Sequence, residues 1–229
     1  MEFGIKRVFT IPFKLFGEDI VITETIFNTW IIMAILIMFA VIVRLSVKNF
    51  EKHPKGFQNF IEALVSGLNN LTSNTMGEKN KAFAGYFGTV FLFILLSNLS
   101  GLFTLRPPTA DIATTLGLAL ITFILVQFFT MRTRGIIGYI KKFFEPIPML
   151  FPLNVIGEVA NPISLGFRLF GNILGGLIIM NLYYSLLPLM VKFGVPAALH
   201  FYFDVFAGVL QTLIFVMLSM TFVAGATEE

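Results

Sequence analysis

Arg168 stands inside an apolar stretch over residues 149–188, in the segment Ser164-Leu-Gly-Phe-Arg-Leu-Phe-Gly-Asn172. An arginine at the centre of a lipid-embedded helix costs about 2.5 to 3.5 kcal/mol on insertion scales, so its default reading is part of an ion or substrate pathway. The guanidinium keeps its proton at any physiological pH and can serve as a fixed cation, but hardly as a proton carrier. Glu158 precedes it by ten residues, and Asp204 lies in the next apolar stretch with Gln211 seven residues beyond on the same helical face. A carboxylate on either side of a central cation reads as two half-pathways separated by a barrier. Cations could pass along carboxylates and water, but would be repelled at the guanidinium.

The residues flanking Arg168 are small or polar. Ser164, Gly171, Asn172 and Gly175 fall at helical spacing from it and form one narrow stripe. Glycines alone would read as a close-packed seam within this part of the chain. Beside an arginine that needs an anionic partner, they read instead as a surface approached by another subunit. Asn98 and Gln127, in earlier apolar stretches, read as interhelical hydrogen-bond glue worth about 0.6 to 2 kcal/mol each. His200, one turn before Asp204, either shuttles a proton or is an interfacial histidine with a satisfied hydrogen bond. Glu158 is either a pathway residue or a member of a local pair at the membrane boundary.

Composition narrows the class. The chain has 229 residues, 56% of them hydrophobic and only 13% charged, far more apolar side chains than one water-soluble core would need. This predicts a polytopic membrane protein. The net charge of +3 does not point to nucleic acid, because the basic residues fall between apolar spans and form no basic, aromatic-interleaved face. Cysteine is absent, which excludes disulfides, thiolate catalysis and zinc–thiolate sites, and two histidines are too few for a histidine metal cluster. No metal or cofactor is expected. No phosphate loop, metalloprotease helix, nucleophile elbow or kinase signature occurs, so a catalytic hydrolase or nucleotide-binding role has no support. The first twenty residues carry Lys6, Arg7, Lys14, Glu18 and Asp19 and no continuous apolar core, unlike a cleavable signal peptide.

The elements that must position these residues follow from apolar run length. About 20 apolar residues cross a bilayer as a helix, and residues 25–43, 83–105 and 112–131 fit simply. Between the first two, residues 54–78 place Phe57, Phe60, Ile61, Leu64, Leu68 and Leu71 at helical spacing opposite Gln58, Glu62, Asn69 and Asn70. This is an amphipathic helix, lying on the membrane surface or packed on other subunits, and not a span. Residues 149–188 would make a helix about twice the ~30 Å hydrocarbon thickness, so it must tilt, bend or begin outside, with Pro152 and Pro162 as bend points. After a break containing Lys192, Gly194 and Pro196, residues 197–226 return. The expected fold is all-α: about five membrane helices and one amphipathic surface helix in a single membrane domain, 1–229. Residues 83–131 form a two-span hairpin, and 149–226 a long tilted one.

Charge sets the expected orientation. Arg44, Lys48, Lys52, Lys55, Lys79, Lys81, Arg132, Arg134, Lys141 and Lys142 fall on one side, against Lys6, Arg7, Lys14, Arg106 and Lys192 on the other. The positive-inside rule makes the richer side cytoplasmic, with the amino terminus outside and Glu228-Glu229 inside.

At these residues the chain resembles subunit a of F-type ATP synthases. The resemblance rests on Pro162-Ile-Ser-Leu-Gly-Phe-Arg-Leu-Phe-Gly-Asn172, supported by Pro108-Thr-Ala-Asp111 and by Gln211, and covers essentially the whole chain. It implies that Arg168 is the essential stator arginine facing the carboxylates of a c-subunit rotor ring. Asn172 and Gln211 are its polar neighbours, and Asp204 lines the outer half-channel. The implied partners are the c ring, the peripheral-stalk b subunits and the ATP synthase holoenzyme, in the lipid bilayer, with H+ or Na+ as the translocated ion. The chain itself would be non-catalytic, in a bacterial plasma membrane. It departs from the family pattern at Leu177 and Gly101, where some members carry carboxylates, so Asp204 is expected to carry more of the outer path. Two other classes predict different features: a secondary transporter calls for a midplane site and usually an internal repeat, and a structural scaffold would tolerate a neutral residue at 168.

Overall fold

The computed structural model describes residues 7–15, 18–47, 55–103, 105–186 and 195–227. Lys6, Lys48, Lys52, His53, Lys192, Gly194, Glu228 and Glu229 lie outside the described residues. An antiparallel ribbon of β1 (Arg7–Leu15) and β2 (Glu18–Thr23) leads directly into α1 (Glu24–Val47). The ribbon is an addition to the all-α expectation, which holds for everything that follows it. Helix α2 spans Phe57–Met76 and α3 Ala84–Leu99, the latter prolonged by 3-10 turns at both ends; α4 follows over Ile112–Lys142. The chain then forms α5 (Phe151–Leu186), α6 (Val195–His200), a π-helical segment Phe201–Ala207, and α7 (Gly208–Thr227).

Five of these units are long and apolar enough to cross a membrane, over Glu24–Ser46, Glu78–Phe103, Ile112–Lys142, Pro148–Leu186 and Val195–Thr227. The chain is a multi-pass membrane protein, because lipid leaves backbone amides no partner but their own helix. Helix α5 contains 36 residues, about 54 Å at 1.5 Å per residue. Pro152 sits in its first turn, where a missing N–H costs little. Pro162 is buried inside the helix, which continues through it. Neither proline ends the helix, so its excess length extends beyond one hydrocarbon thickness.

Helix α2 is amphipathic, and its inward face packs on α3 and α7 of the same chain rather than lying free on lipid. It buries Ile61, Thr72 and Met76, and Leu68 Cδ1 lies 3.2 Å from where a Cβ on Gly88 would stand. Phe57 and Phe60 remain exposed at its start. The core joins α2 to α7 through Met76, Phe87, Ile94, Ala119, Leu165, Leu169, Phe215, Val216, Met220 and Val223. At one end of the bundle, Asn80 bonds Thr227 (3.1 Å) and Thr133 donates to the Ala226 carbonyl (3.2 Å). At the other, Thr25 donates to the Asp111 carboxylate (2.9 Å) and Asn28 to the Arg106 carbonyl (2.9 Å).

Asn98 is glue, as its type suggests. Its amide donates to the Gly208 carbonyl (2.9 Å) and Thr212 Oγ1 (3.1 Å), while its oxygen accepts from Thr109 Oγ1 (2.7 Å). These bonds tie α3, the turn before α4, and α7 where Asp204 enters the bundle.

Candidate functional site

The face of α5 that meets the rest of the chain carries Pro162, Leu165, Gly166, Leu169, Ile173, Gly176 and Met180, a stripe of helical period. Arg168 is offset from it by about a third of a turn and points outward, exposed, with Ser164, Gly171 and Asn172 exposed beside it. Among the described residues Arg168 has neither an ion pair nor a hydrogen bond. A Cβ built on Gly171 or Gly175 would meet nothing within 4 Å, so among the described residues these two glycines make no seam inside the hairpin. The seam belongs to two others. On Gly166 a Cβ would fall 2.8 Å from Leu116 Cδ2 and 3.3 Å from its Cα, and on Gly176 it would fall 3.3 Å from Phe203 Cβ.

Two contacts set the register of α5 against the returning helical arm of the hairpin. Asn172 Nδ2 donates to the Ala207 carbonyl at 3.4 Å, and Gly176 faces Phe203. Carried one turn further, the same antiparallel register brings Gln211 to the level of Arg168. Gln211 turns inward, only 6% exposed, and its Nε2 is buried without a hydrogen-bond partner.

A cleft of about 450 Å³ opens on the side of Asp204. The carboxylate lies at the middle of the π-helical segment, a wound-out turn of the kind that recurs at functional sites. His200 Nδ1 is 2.5 Å from Asp204 Oδ2, and its Nε2 is 3.1 Å from the Tyr184 hydroxyl, so the imidazole bridges the two. His200 is therefore hydrogen-bonded on both ring nitrogens and in line with the carboxylate. The cleft is also lined by Glu24, Asn98, Asn181, Gly101 and Leu177. Gly101 and Leu177, the two departures from the family pattern, thus share one cleft with Asp204.

A second, smaller cleft of about 160 Å³ opens on the side of Glu158, with Thr130, Arg134, Lys142 and Asn161 on its walls. Glu158 is paired within it: Lys142 Nζ lies 3.0 Å from Oε2 and 3.2 Å from Oε1, and Gln127 Nε2 donates to Oε1 at 2.8 Å. Local pairing and a place in a cleft are both true of this residue. Arg168 lines neither cleft. Sequence reasoning missed Glu24, Asn181 and Tyr184 on the Asp204 side, and took Lys142 for a topology signal alone. A signal existed for Glu24, because the start of the first span must lie at the same end of the bundle as the start of the last.

The chain matches the family model for the ATP synthase A chain over residues 26–224. It is 39% identical over 227 residues to the "ATP synthase subunit a, sodium ion specific" of Propionigenium modestum, covering 91% of this chain and 75% of that one. Similarity to the ATP synthase subunit a of Moorella thermoacetica is 36% over 216 residues, covering 93% and 95% of the two chains. With that of Geobacter sp. strain M21 it is 36% over 234 residues, covering 100% and 96%. Five apolar spans, an arginine in the fourth and a match along almost the full length agree: the chain belongs to the ATP synthase A chain family, the ion-translocating stator subunits of the rotary complex.

Proposed function

We propose that this chain conducts H+ or Na+ between two aqueous half-channels and the carboxylates of a c-subunit ring, with Arg168 as the barrier between them. Asp204, with His200, lines the outer half-channel, and Glu158 the inner one. Asn172 and Gln211 flank the arginine, and Ser164, Gly171 and Gly175 form the surface past which the ring moves. The chain is non-catalytic by itself, works within the holoenzyme beside peripheral-stalk b subunits, and sits in a bacterial plasma membrane with its amino terminus outside. Sodium is the ion carried in the name of the Propionigenium relative.

One observation carries the reading: Arg168 is exposed on a membrane helix with no partner among the described residues of its own chain, while clefts holding carboxylates open on either side of its level. Facing lipid, such a charge is costly. Facing a partner's carboxylate, it is satisfied, and it weakens that carboxylate's hold on a proton or metal ion. Release must also be possible. At about 4 Å and an effective dielectric near 20 the raw attraction is ~4 kcal/mol, whereas one charge moved through 100 mV supplies ~2.3 kcal/mol. Water around an exposed guanidinium keeps the contact breakable, and the open space at Gly171 and Gly175 leaves room for it.

The test is Arg168→Ala in the assembled holoenzyme. ATP-driven ion pumping should be lost while the complex still purifies intact; an assembled variant that pumps normally overturns the proposal.

A further inference from the structure

Helix α4 is not one helix to its end. Gly135 has φ 67° and ψ 171°, a conformation that L side chains rarely adopt, and it redirects the chain before the last turns of α4. The redirected strap is pinned back onto the start of α5. Asn154 Nδ2 donates to the carbonyls of Phe143 and Glu145, both at 2.9 Å, and the Phe144 and Phe151 rings stack at 4.8 Å between centroids. The outcome is the placement of Lys142 over Glu158.

We infer that Lys142 is the resident counter-cation of the inner cleft, which a translocated ion must displace to occupy Glu158. This rests on the proposed function above and adds a residue and a mechanism to its inner half-channel. The ammonium reaches both carboxylate oxygens, and the pair is only partly exposed, 33% for Lys142 and 17% for Glu158. Gln127 holds Oε1 from the other side, so the carboxylate stays in place when the ammonium leaves. The other titratable side chains near Glu158 are Arg134 on the cleft wall and Tyr139 on the strap. A cation entering from the inner side competes with Lys142 for the same oxygens. A cation leaving the ring is released from Glu158 as Lys142 returns. Lys142 acts through Glu158 and is a positioning residue.

The test is ATP-driven pumping by the holoenzyme in inverted vesicles, measured against ion concentration (H+ or Na+) on the exposed inner face. Lys142→Gln should lower the half-saturating concentration by about threefold, a partly exposed ion pair being worth little more. Lys142→Arg should keep the native value. In a Glu158→Gln background, Lys142→Gln should add no shift. The chain contains no cysteine, so Lys142→Cys supplies an independent arm: it should show the same drop, reversed by a cationic aminoethyl thiol reagent and not by a neutral one. A native half-saturating concentration in Lys142→Gln, or in unlabelled Lys142→Cys if the glutamine variant does not assemble, overturns the inference. Loss of pumping in Arg168→Ala alongside that result would leave the proposed function standing.

Discussion

Gly101 has no side chain at the point where α3 runs past Asp204: a Cβ there would stand 3.4 Å from Asp204 Cγ and 3.5 Å from each carboxylate oxygen. The 3-10 turn that carries Gly101 and the π-helical segment that carries Asp204 therefore share one space, which a single acidic group fills. Adding a second one by Gly101→Asp places like charges in contact, where they repel. ATP synthesis should fall in this variant and recover when Asp204→Asn is added, with the acidic group moved from one helix to the other. Synthesis rates of the two variants in energised vesicles check this; a Gly101→Asp variant as active as the native complex would show that the space is not shared.

Asp204→Asn alone keeps the size of the side chain and removes its charge. Under the proposed function the outer ion concentration needed for half-maximal ATP synthesis should rise by about tenfold, the equivalent of ~1.4 kcal/mol of lost attraction. The defect should vanish at saturating outer ion. A maximal rate that stays low at every concentration would point to a distorted cleft instead of a missing charge.

The two glycine pairs separate surface from seam. Gly171→Leu adds bulk to an open face, so the chain should still fold and join the complex, with slowed ATP-driven rotation. Gly166→Leu drives side-chain atoms into the Leu116 backbone, an overpacking expected to cost about 1–3 kcal/mol or more. The level of subunit recovered in the membrane, set against rotation of the purified complex, distinguishes them. Equal recovery of both variants would place the seam elsewhere.

Asn98→Leu should lower stability without altering the ion dependence of flux, because it takes the acceptor from the buried Thr109 hydroxyl, at about 1–3 kcal/mol for a group left unsatisfied, while Thr212 keeps its bond to the Gly208 carbonyl. The temperature at which the complex loses this subunit in detergent gives the measurement. A change in ion dependence with unchanged stability would make Asn98 a pathway residue.

Much of the architecture was legible before any coordinates. Run length located all five spans, and the helical recurrence around Ile61, Leu64 and Leu68 marked α2 as amphipathic. Which surface α2 covers was not legible, since amphipathicity names a face and not the partner that hides it. The ribbon over Arg7–Leu15 and Glu18–Thr23 was not legible for a related reason: a strand is defined by a neighbour, and neither segment is an apolar run of membrane length. Gly166 and Gly171 show a sharper limit. Both are small residues on one helix within five positions of each other, yet a Cβ on one would meet Leu116 and a Cβ on the other would meet nothing among the described residues. Spacing places them on different faces without saying which face is inward. Lys142 was counted for its charge near a membrane boundary, while its contact with Glu158 depends on the backbone angles of Gly135 seven residues earlier.

Under the proposed function, the open flank at Gly171 and Gly175 also bears on how the ring would travel. Helices that mesh knob into hole hold each other at discrete positions, and every step then begins by lifting one tooth from another. Gly171 and Gly175 offer no such teeth beside the charge, so at their level the face would act as a bearing. Resistance to turning would then fall mainly on the electrostatic handover at Arg168, where the ion gradient can do work, and less on side chains scraping past one another.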